Sequence, residues 1–248
     1  MLKRNFLTRK AILKCSEADK ADFKNSICSL SISVGQPYHE GDKFKATLVA
    51  VNENFKECII VICDSLYRHT MKFASNLSIN ELHHKANLAG DEWLERNSHA
   101  INQLDIPFKI TRWDSWLANP GYNRAYENID TLHRADTDFR EALEGTARLF
   151  LKRQIGKLNA PVTEQSIFSS SIDYLKEECA GMLLWAESNY QFEIYPNQRN
   201  AAMDYVYRNV IGKFNSKLVR AISIKFKNLV PTQLPTQRLV LETIHQAA

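Results

Sequence analysis

Two short segments near the start of the chain have the hydrophobic patterns of β-strands. Residues 27–34 alternate apolar side chains with serines, which is the period expected of a strand, and Ser33 is the last of these serines before Gly35. Residues 58–63 form a continuous apolar run, typical of a strand buried on both faces. Residues 44–55 between them carry apolar side chains at helical spacing. This strand–helix–strand order predicts a right-handed crossover and a parallel sheet.

The rest of the chain continues to alternate helical and extended patterns. These patterns predict helices over about 68–103, 122–158, 165–188 and 199–213, and strands over 107–112, 192–195 and 219–226. The alternation favours an α/β fold with a doubly wound, mostly parallel sheet and helices on both faces. No linker-like stretch interrupts it, so we expect one domain over residues 1–248, in which the N-terminal segment 1–24 and the tail 231–248 carry weaker signals.

The composition says more about the cellular compartment of the protein than about its binding partners. The 248 residues are 44% hydrophobic and 24% charged, as is usual for a soluble globular protein. Five cysteines without a CxxC pair favour a reducing compartment, and no apolar run has the length of a secretory signal or a membrane span. We therefore expect a cytoplasmic protein that does not bind membranes. The net charge of +4 is compatible with a polyanionic partner but does not require one.

The common signatures of nucleotide, hydrolase and metal sites are missing. The chain has neither GxxxxGK followed by Ser or Thr nor GxGxxG after a strand, so the sequence gives no reason to expect ATP or a dinucleotide. The absence of GxSxG argues against an ordinary α/β-hydrolase. His83, His84 and Lys85 are consecutive on a predicted helix, where neighbours point about 100° apart. We interpret them as a solvated helix surface and expect no metal site.

Ser33 is the first candidate for chemistry. In open parallel sheets, ligands bind outside the carboxyl ends of the strands, and a serine at such an end can present its hydroxyl to a ligand. The alternative is that Ser33 is simply the third serine on the polar side of a strand. Spacing alone favours that structural interpretation, because function has to be argued from the site rather than from the fold.

Tyr174 and Glu178 are the second candidates. They lie four residues apart on the helix predicted over 165–188, and therefore on one face, at the border of its apolar stripe. A carboxylate at such a border can be partly desolvated and can bind an ammonium group or accept a proton. The alternative, which spacing alone favours, is a boundary glutamate whose carboxylate reaches water.

Five segments, taken in their order along the chain, extend these two candidates into a wider pattern. They are SISVGQPYHEGDKF (31–44), ECIIVICDS (57–65), NPGYNRAY (119–126), DYLKEECAG (173–181) and FEIYPNQ (192–198). In this order and at these separations they resemble the cyclodipeptide synthases, enzymes that make cyclic dipeptides from two aminoacyl-tRNAs. The resemblance implies a fold similar to the catalytic domain of class I tyrosyl- and tryptophanyl-tRNA synthetases.

The resemblance assigns roles residue by residue. Ser33 matches the nucleophilic serine of the family, and Tyr174 and Glu178 match the Tyr-x-x-x-Glu pair that holds the aminoacyl group. Tyr195 matches the catalytic tyrosine. Tyr122 matches a tyrosine near the active site and is expected to bind substrate.

Further positions concern the subgroup and the tRNA. The residue three after the nucleophile is Gln36 and the residue after the catalytic tyrosine is Pro196, so the chain resembles the XYP subgroup rather than the Asn/His one. We expect both residues to contribute to substrate binding, together with Val34 and Gly35. The helix that is strongly basic in better-known members of the other subgroup carries Lys85 and Arg96 here, but also four acidic residues. The tRNA is therefore expected to be held by these or by dispersed charges.

The resemblance also implies a mechanism without a cofactor or ATP, because an aminoacyl-tRNA is already an activated ester. Ser33 would form an aminoacyl-enzyme, a second aminoacyl-tRNA would extend it, and cyclisation would release a diketopiperazine. His39 lies beyond the turn, so the neighbouring ribose hydroxyl of the tRNA is the expected proton relay for Ser33. The backbone amides of residues 34–36 are expected to stabilise the oxyanion. Two alternatives stay open: a non-catalytic aminoacyl-tRNA-binding protein, and a serine hydrolase of a small ester with a general base beside Ser33.

Overall fold

A single sheet forms the centre of the structure, a computed structural model that describes residues 8–155, 163–185, 188–211 and 219–229. The strands within these ranges are β1 (Arg9–Lys14), β2 (Ile27–Ile32), β3 (Glu57–Ile62), β4 (Phe108–Arg112), β5 (Phe192–Tyr195) and β6 (Arg220–Asn228). Their order across the sheet is β1-β6-β5-β2-β3-β4. Strands β2 to β6 are parallel, and β1 pairs antiparallel with β6 at one edge.

Helices connect the strands and cover the sheet. Those of the described ranges are α1 (Glu17–Asp22), α2 (Gly41–Asn54), α3 (Arg68–Met71), α4 (Ile79–Ile101), α5 (Asp114–Leu117), α6 (Tyr122–Ala135), α7 (Thr137–Gln154), α8 (Glu164–Trp185) and α9 (Ala201–Tyr205). A π-helical turn, Val206–Ile211, continues α9, and a 3-10 turn, Pro37–His39, precedes α2. None of these described helices has both the length and the apolar character needed to cross a membrane.

The two faces of the sheet are covered by different helices because successive side chains of a strand point to opposite faces. Leu30 and Ile60 point into a hydrophobic core shared with α2 and α4. Ile27 and Ile59 point to the other face and pack in a second core, formed mainly by α6, α7, α8 and α9. The sequence prediction of a mostly parallel α/β sheet with helices on both faces is thus confirmed.

The order in which strands are added to the sheet reverses between β2 and β5. From β2 it proceeds through β3 to β4 at one edge, whereas β5 and β6 follow on the other side of β2. Such a switch point opens a crevice outside the carboxyl ends of the two neighbouring strands, where ligands bind in doubly wound folds. Ser33 directly follows β2, and Tyr195 is the last residue of β5.

The N-terminal half differs from the prediction in three places. Strand β1 was not predicted, so the strand that precedes Ser33 is the second one, and it ends at Ile32 rather than at residue 34. The serines of β2 do not form a solvent-facing side, because Ser29 and Ser31 are 1% and 5% exposed under the second core. The helical region predicted over 68–103 contains two helices, the short α3 and the long α4, which Ser78 starts with a capping box.

The C-terminal half differs in its helix boundaries. The helix predicted over 122–158 is two helices, because the Asp136 side chain accepts a hydrogen bond from the Phe139 amide and begins α7. The helix predicted over 199–213 is the short α9 followed by the π-helical turn. Parts of several predictions lie outside the described residues, namely 1–7, 156–158, 186–187, 212–213 and 231–248.

Candidate active site at the switch point of the sheet

Ser33 occupies a tight turn at the carboxyl end of β2. The Gln36 amide donates a hydrogen bond to the Ser33 carbonyl oxygen at 3.3 Å, which closes the turn. Gly35, the third residue of the turn, has a φ of +81°, and this left-handed conformation is favourable for glycine but strained for residues with a Cβ. The turn lifts Ser33 out of the sheet and leaves its side chain half-buried.

Three hydroxyl groups form a hydrogen-bonded row across the switch point. The Ser33 Oγ lies 2.9 Å from the Tyr195 Oη, and the Tyr195 Oη lies 2.9 Å from the Tyr38 Oη. Because β2 and β5 are parallel neighbours, their carboxyl ends lie side by side and bring Ser33 and Tyr195 together. Burial is the main reason why the pKa values of both tyrosines are raised, so both phenols stay protonated at neutral pH.

Tyr174 and Glu178 of α8 complete the cluster. The Tyr174 hydroxyl donates to Glu178 Oε1 at 3.4 Å, and the Asn200 Nδ2 donates to Glu178 Oε2 at 3.3 Å. Besides burial, the charge of Glu178 raises the pKa of Tyr174, with smaller contributions from Tyr195 and Tyr38. The structure therefore brings together the four residues that the sequence predicted as catalytic: Ser33, Tyr174, Glu178 and Tyr195.

Glu178 can change its charge near neutral pH. Burial of the carboxyl group raises its pKa to about 7, and the nearby negative charge of Glu193 acts in the same direction. The hydrogen bonds from Asn200 and Tyr174 stabilise the carboxylate and oppose this shift. A half-buried carboxylate with this balance can bind an ammonium group or take up a proton.

Glu193 is a buried part of the site that the sequence did not indicate. It is 4% exposed on β5, and its Oε2 accepts a hydrogen bond from Arg199 Nη2 at 3.1 Å. The Arg199 guanidinium also stacks on the Tyr207 ring, 3.8 Å from its centroid. The Glu193 carboxylate of this pair is the negative charge that raises the pKa of Glu178.

His39 contacts Ser33 through the backbone and not through the hydroxyl. Its Nδ1 accepts the hydrogen bond of the Ser33 amide at 2.7 Å. Its ring is 1% exposed, and this burial lowers its pKa to about 3. Among the described residues no histidine bonds to the Ser33 Oγ, so the Ser–His pair of an ordinary serine hydrolase is not formed there.

The residues predicted to bind substrate occupy two places. Val34, Gly35 and Gln36 form the turn after Ser33, with Val34 buried and the other two exposed, and Pro196 is buried next to Tyr195. Since the Gln36 amide is engaged within the turn, an oxyanion role is left to the other amides of the turn. Tyr122 is the first residue of α6 and packs against the second core, where burial and then the charge of Glu177 on α8 raise its pKa.

The residues proposed for tRNA binding lie on the exposed side of α4. Lys85 is exposed, and Arg96 pairs with Glu40 at 3.0 Å and with Glu92 at 3.9 Å. His83 was predicted to be solvated, but its Nε2 lies 3.0 Å from Asp114 Oδ2 and the residue is half-buried. Asp114 is the first residue of α5, and the same Oδ2 accepts a hydrogen bond from Asn87 of α4 at 3.0 Å.

A groove opens next to this cluster. It has a volume of about 470 Å³ and lies between α7 and the start of α9, lined among others by Gly145, Leu149 and Arg153. Asn200, which donates to Glu178, also lines it. Asn200 therefore links the groove to the Glu178 carboxylate.

Comparison with solved structures identifies the family. A cyclodipeptide synthase from Fluoribacter dumoffii is 36% identical to this chain, with a TM-score of 0.86, and the match covers 89% of this chain and 99% of that one. The chain belongs to the cyclodipeptide synthase family. A search of protein-family models and a search of curated proteins gave no match.

Two more distant cyclodipeptide synthases share the fold. The enzyme from Candidatus Glomeribacter gigasporarum, solved bound to Phe-tRNAPhe, is 20% identical with a TM-score of 0.74, covering 92% of this chain and 98% of that one. A Mycobacterium tuberculosis protein is 15% identical with a TM-score of 0.63, covering 88% and 93%. Its description relates cyclodipeptide synthetases to type I tRNA synthetases, which agrees with the fold expected from the sequence.

Tyr38 and Asn200 belong to the candidate site of this cyclodipeptide synthase family member but were missed in the sequence. Asn200 carried a recognisable signal, because an asparagine before a helical segment is a typical N-cap, and its Oδ1 indeed caps α9 while its Nδ2 binds Glu178. Tyr38 carried none, since it follows a proline in a turn whose direction depends on tertiary contacts.

Proposed function

We propose that this chain is a cyclodipeptide synthase that joins two amino acids, delivered as aminoacyl-tRNAs, through an aminoacyl-enzyme on Ser33. The observation that supports it best is the contact between the Ser33 and Tyr195 hydroxyls at 2.9 Å, in one cluster with Tyr174 and Glu178. Membership of the family supplies the reaction, and this cluster supplies side chains suited to each of its steps.

The first step is acyl transfer to Ser33. The Ser33 Oγ attacks the carbonyl carbon of the aminoacyl ester, and the terminal ribose oxygen of the tRNA leaves with the proton that Ser33 loses. Since His39 is engaged by the Ser33 amide, we assign the proton relay to the vicinal ribose hydroxyl of the tRNA. The free amides of the turn after Ser33 would stabilise the tetrahedral oxyanion.

The second step builds the peptide bond on the enzyme. The amine of the Ser33-bound amino acid attacks the ester carbonyl of a second aminoacyl-tRNA, whose ribose oxygen takes the proton and leaves. The opposite attack would place the dipeptide on tRNA, whereas this direction keeps it on Ser33 as a dipeptidyl-enzyme. The terminal amine then closes on the serine ester and releases the diketopiperazine together with a free Ser33 hydroxyl.

Glu178, Tyr174 and Tyr195 are given separate roles in these steps. Ionised Glu178 binds the α-ammonium group of the first amino acid and later accepts its proton, and the Tyr174 hydroxyl binds the same group. A pKa of about 7 suits Glu178 for both roles, because the carboxylate that binds the ammonium group is also basic enough to accept its proton. Tyr195 donates a proton toward the Ser33 oxygen when the ester breaks during cyclisation.

We assign the chain to the XYP subgroup, on Gln36 and Pro196, and infer a single catalytic domain in the cytoplasm. The substrates are activated esters, so the reaction proposed here needs neither ATP nor a metal ion. Lys85 and Arg96 are both exposed on α4, and Arg96 pairs with acidic side chains. We therefore infer that the tRNA contacts charges dispersed over several elements, with Lys85 and Arg96 among them.

The decisive experiment mixes the purified protein with a full set of aminoacyl-tRNAs and analyses products and intact protein by mass spectrometry. A synthase forms cyclic dipeptide and, with Ser33, an aminoacyl-enzyme; both are lost in Ser33→Ala and kept in the matched control Ser31→Ala, a buried serine two residues upstream. Glu178→Gln should stay folded and lose most cyclic dipeptide. Retained activity in Ser33→Ala contradicts the proposal.

The same experiment separates the two alternatives. Release of free amino acid without cyclic dipeptide indicates a hydrolase. Tight binding of aminoacyl-tRNA without acylation or product indicates a non-catalytic binding protein.

A further inference from the structure

Tyr38 is the outer member of the row of hydroxyls that begins at Ser33. Its Oη lies 2.9 Å from the Tyr195 Oη, which in turn lies 2.9 Å from the Ser33 Oγ. Tyr38 is half-buried at the mouth of the switch-point crevice. The proposed roles of Ser33, Tyr174, Glu178 and Tyr195 do not use it.

A phenol carries one proton, so the Tyr195 hydroxyl can donate to only one of its two neighbours. If Tyr195 donates to Ser33, its proton occupies a lone pair of the oxygen that has to attack the ester. If it donates to Tyr38, its own oxygen faces the Ser33 proton as an acceptor and leaves the Ser33 lone pairs free. The direction of the row therefore changes the nucleophilicity of Ser33.

Tyr38 is held in place by the turn on which it lies. The His39 amide donates to the Gln36 carbonyl oxygen at 2.9 Å, and the buried Trp93 Nε1 donates to the His39 carbonyl oxygen at 2.9 Å. The His39 ring packs edge-on against Tyr38 and Tyr195, with centroids 4.7 Å and 5.6 Å away. The Tyr38 hydroxyl is thus presented to Tyr195 by a rigid support.

We propose that Tyr38 is a positioning residue for acyl transfer: by accepting the Tyr195 hydrogen bond it keeps the Tyr195 proton off the Ser33 lone pair that attacks the ester, while the Ser33 proton passes to the ribose hydroxyl of the tRNA. This inference rests on the proposed function of Ser33 and deepens it. It concerns a residue that acts through Tyr195 and does not touch the reacting atoms. Because both phenols stay protonated at neutral pH, the row can keep this direction over the working range of the enzyme.

The test is the Tyr38→Phe variant, which keeps the ring contacts and removes only the hydroxyl. In a single turnover with saturating aminoacyl-tRNA, the acylation of Ser33 should slow roughly ten- to a hundredfold. This loss is no larger than the smallest rate effects that are typical of general acid–base catalysis, about a hundredfold. The aminoacyl-tRNA concentration at half-maximal rate should change less than about twofold, because no substrate contact is removed. Tyr205→Phe is the matched control, since it removes a tyrosine hydroxyl that donates to Asp136 at 2.7 Å outside the site.

A second variant separates positioning from a general structural role. In a Tyr195→Phe background, Tyr38→Phe should slow acylation by less than about twofold more, because a residue that acts through Tyr195 has nothing left to act on. Multiplied losses in the double variant, or a Tyr38→Phe variant that acylates at the wild-type rate, overturn this inference alone. A wild-type chain that forms no acyl-serine overturns the proposed function and the inference with it. Melting temperatures equal to that of Tyr205→Phe show that folding is not the cause.

Discussion

The His39 Nδ1 accepts the hydrogen bond of the Ser33 backbone amide at 2.7 Å and so leaves the Ser33 hydroxyl to Tyr195. A histidine beside a serine nucleophile is commonly its general base, but here the Nδ1 that faces Ser33 is already engaged by the backbone amide. The Nε2 is buried without a hydrogen-bond partner among the described residues, so the neutral ring carries its proton there. His39 therefore supports the turn at Ser33 and does not take its proton.

This arrangement predicts a pH dependence of stability. The pKa of His39 is lowered to about 3 in the folded chain, against about 6.5 in the unfolded chain. Between these values the unfolded state binds a proton that the folded state does not, so stability from neutral His39 is complete above pH 6.5 and is lost as the pH falls toward 3. The loss should approach about 1.4 kcal/mol per pH unit, measured by urea unfolding at several pH values.

The His39→Asn variant is the control for this prediction. Asparagine can still accept the Ser33 amide hydrogen bond but does not titrate, and all other ionisable groups remain the same. The difference in unfolding free energy between wild type and variant should shrink as the pH falls from 6.5 to 4.5. A difference that stays constant over this range would show that His39 does not remain neutral in the folded chain.

A second prediction concerns Glu177, the buried neighbour of Glu178. Its carboxylate accepts hydrogen bonds from both terminal nitrogens of Arg68, from His69 Nε2 at 3.0 Å and from Trp113 Nε1 at 2.8 Å. These contacts tie α8 to α3 and to the end of β4. Glu177→Ala leaves the Arg68 charge buried and unpaired, and should cost about 3 to 5 kcal/mol of unfolding free energy in urea titrations.

An exposed ion pair between α8 and the 3-10 turn that follows α3 provides the comparison. Lys72 Nζ lies 3.9 Å from Asp173 Oδ2, and both side chains are nearly half exposed. Asp173→Asn should therefore cost less than about 1 kcal/mol. Equal losses in the two variants would refute the structural role given to the Glu177 cluster.

The parallel part of the sheet could be predicted from the sequence, because the strands that form it are strongly apolar and alternate with helical patterns. Strand β1 was missed because it is stabilised by pairing with β6, more than two hundred residues away in the chain, and a local pattern carries no information on that pairing. The break before α4 does have a local signal, because Ser78 and Glu81 have the spacing of the capping box that starts this helix.

For the site, spacing alone favoured structural roles for Ser33 and Glu178, and only the family resemblance reversed this. The resemblance named residues but not their mutual contacts. The Tyr38–Tyr195 contact and the effect of Glu193 on Glu178 depend on how β5, α8 and the turn after β2 meet in space. Such long-range contacts are set by packing, so they could not be predicted from one sequence.

A third prediction uses two glycines in helices. A Cβ at Gly90 of α4 would lie 2.7 Å from the Asp64 Cβ and 2.8 Å from the Arg112 Nη2, in the cluster where these two residues form an ion pair. Gly90→Ala should therefore lower the unfolding free energy by about 1 to 3 kcal/mol. A Cβ at Gly145 of α7 meets nothing within 4 Å, so Gly145→Ala should raise it by about 0.5 to 1 kcal/mol. Thermal or urea unfolding checks both, and shifts of the same sign would contradict the packing at Gly90.

The last prediction concerns the pH profile of acylation. Glu178 must be ionised to bind the α-ammonium group, so acylation at limiting aminoacyl-tRNA should increase with pH through about 7, the pKa of this carboxyl group. At higher pH the amine of the substrate loses its proton, and the rate should decrease again. The profile is measured as the rate of aminoacyl-enzyme formation in buffers of constant ionic strength.

Two variants should move the acidic limb of this profile in opposite directions. Glu193→Gln removes the negative charge that raises the pKa of Glu178, so the limb should shift to lower pH. Asn200→Ser removes the amide that stabilises the Glu178 carboxylate but keeps an N-cap for α9, so the limb should shift to higher pH. A limb that stays in place in both variants would show that a group other than Glu178 controls it, because each substitution changes a contact or charge that acts directly on this carboxyl group.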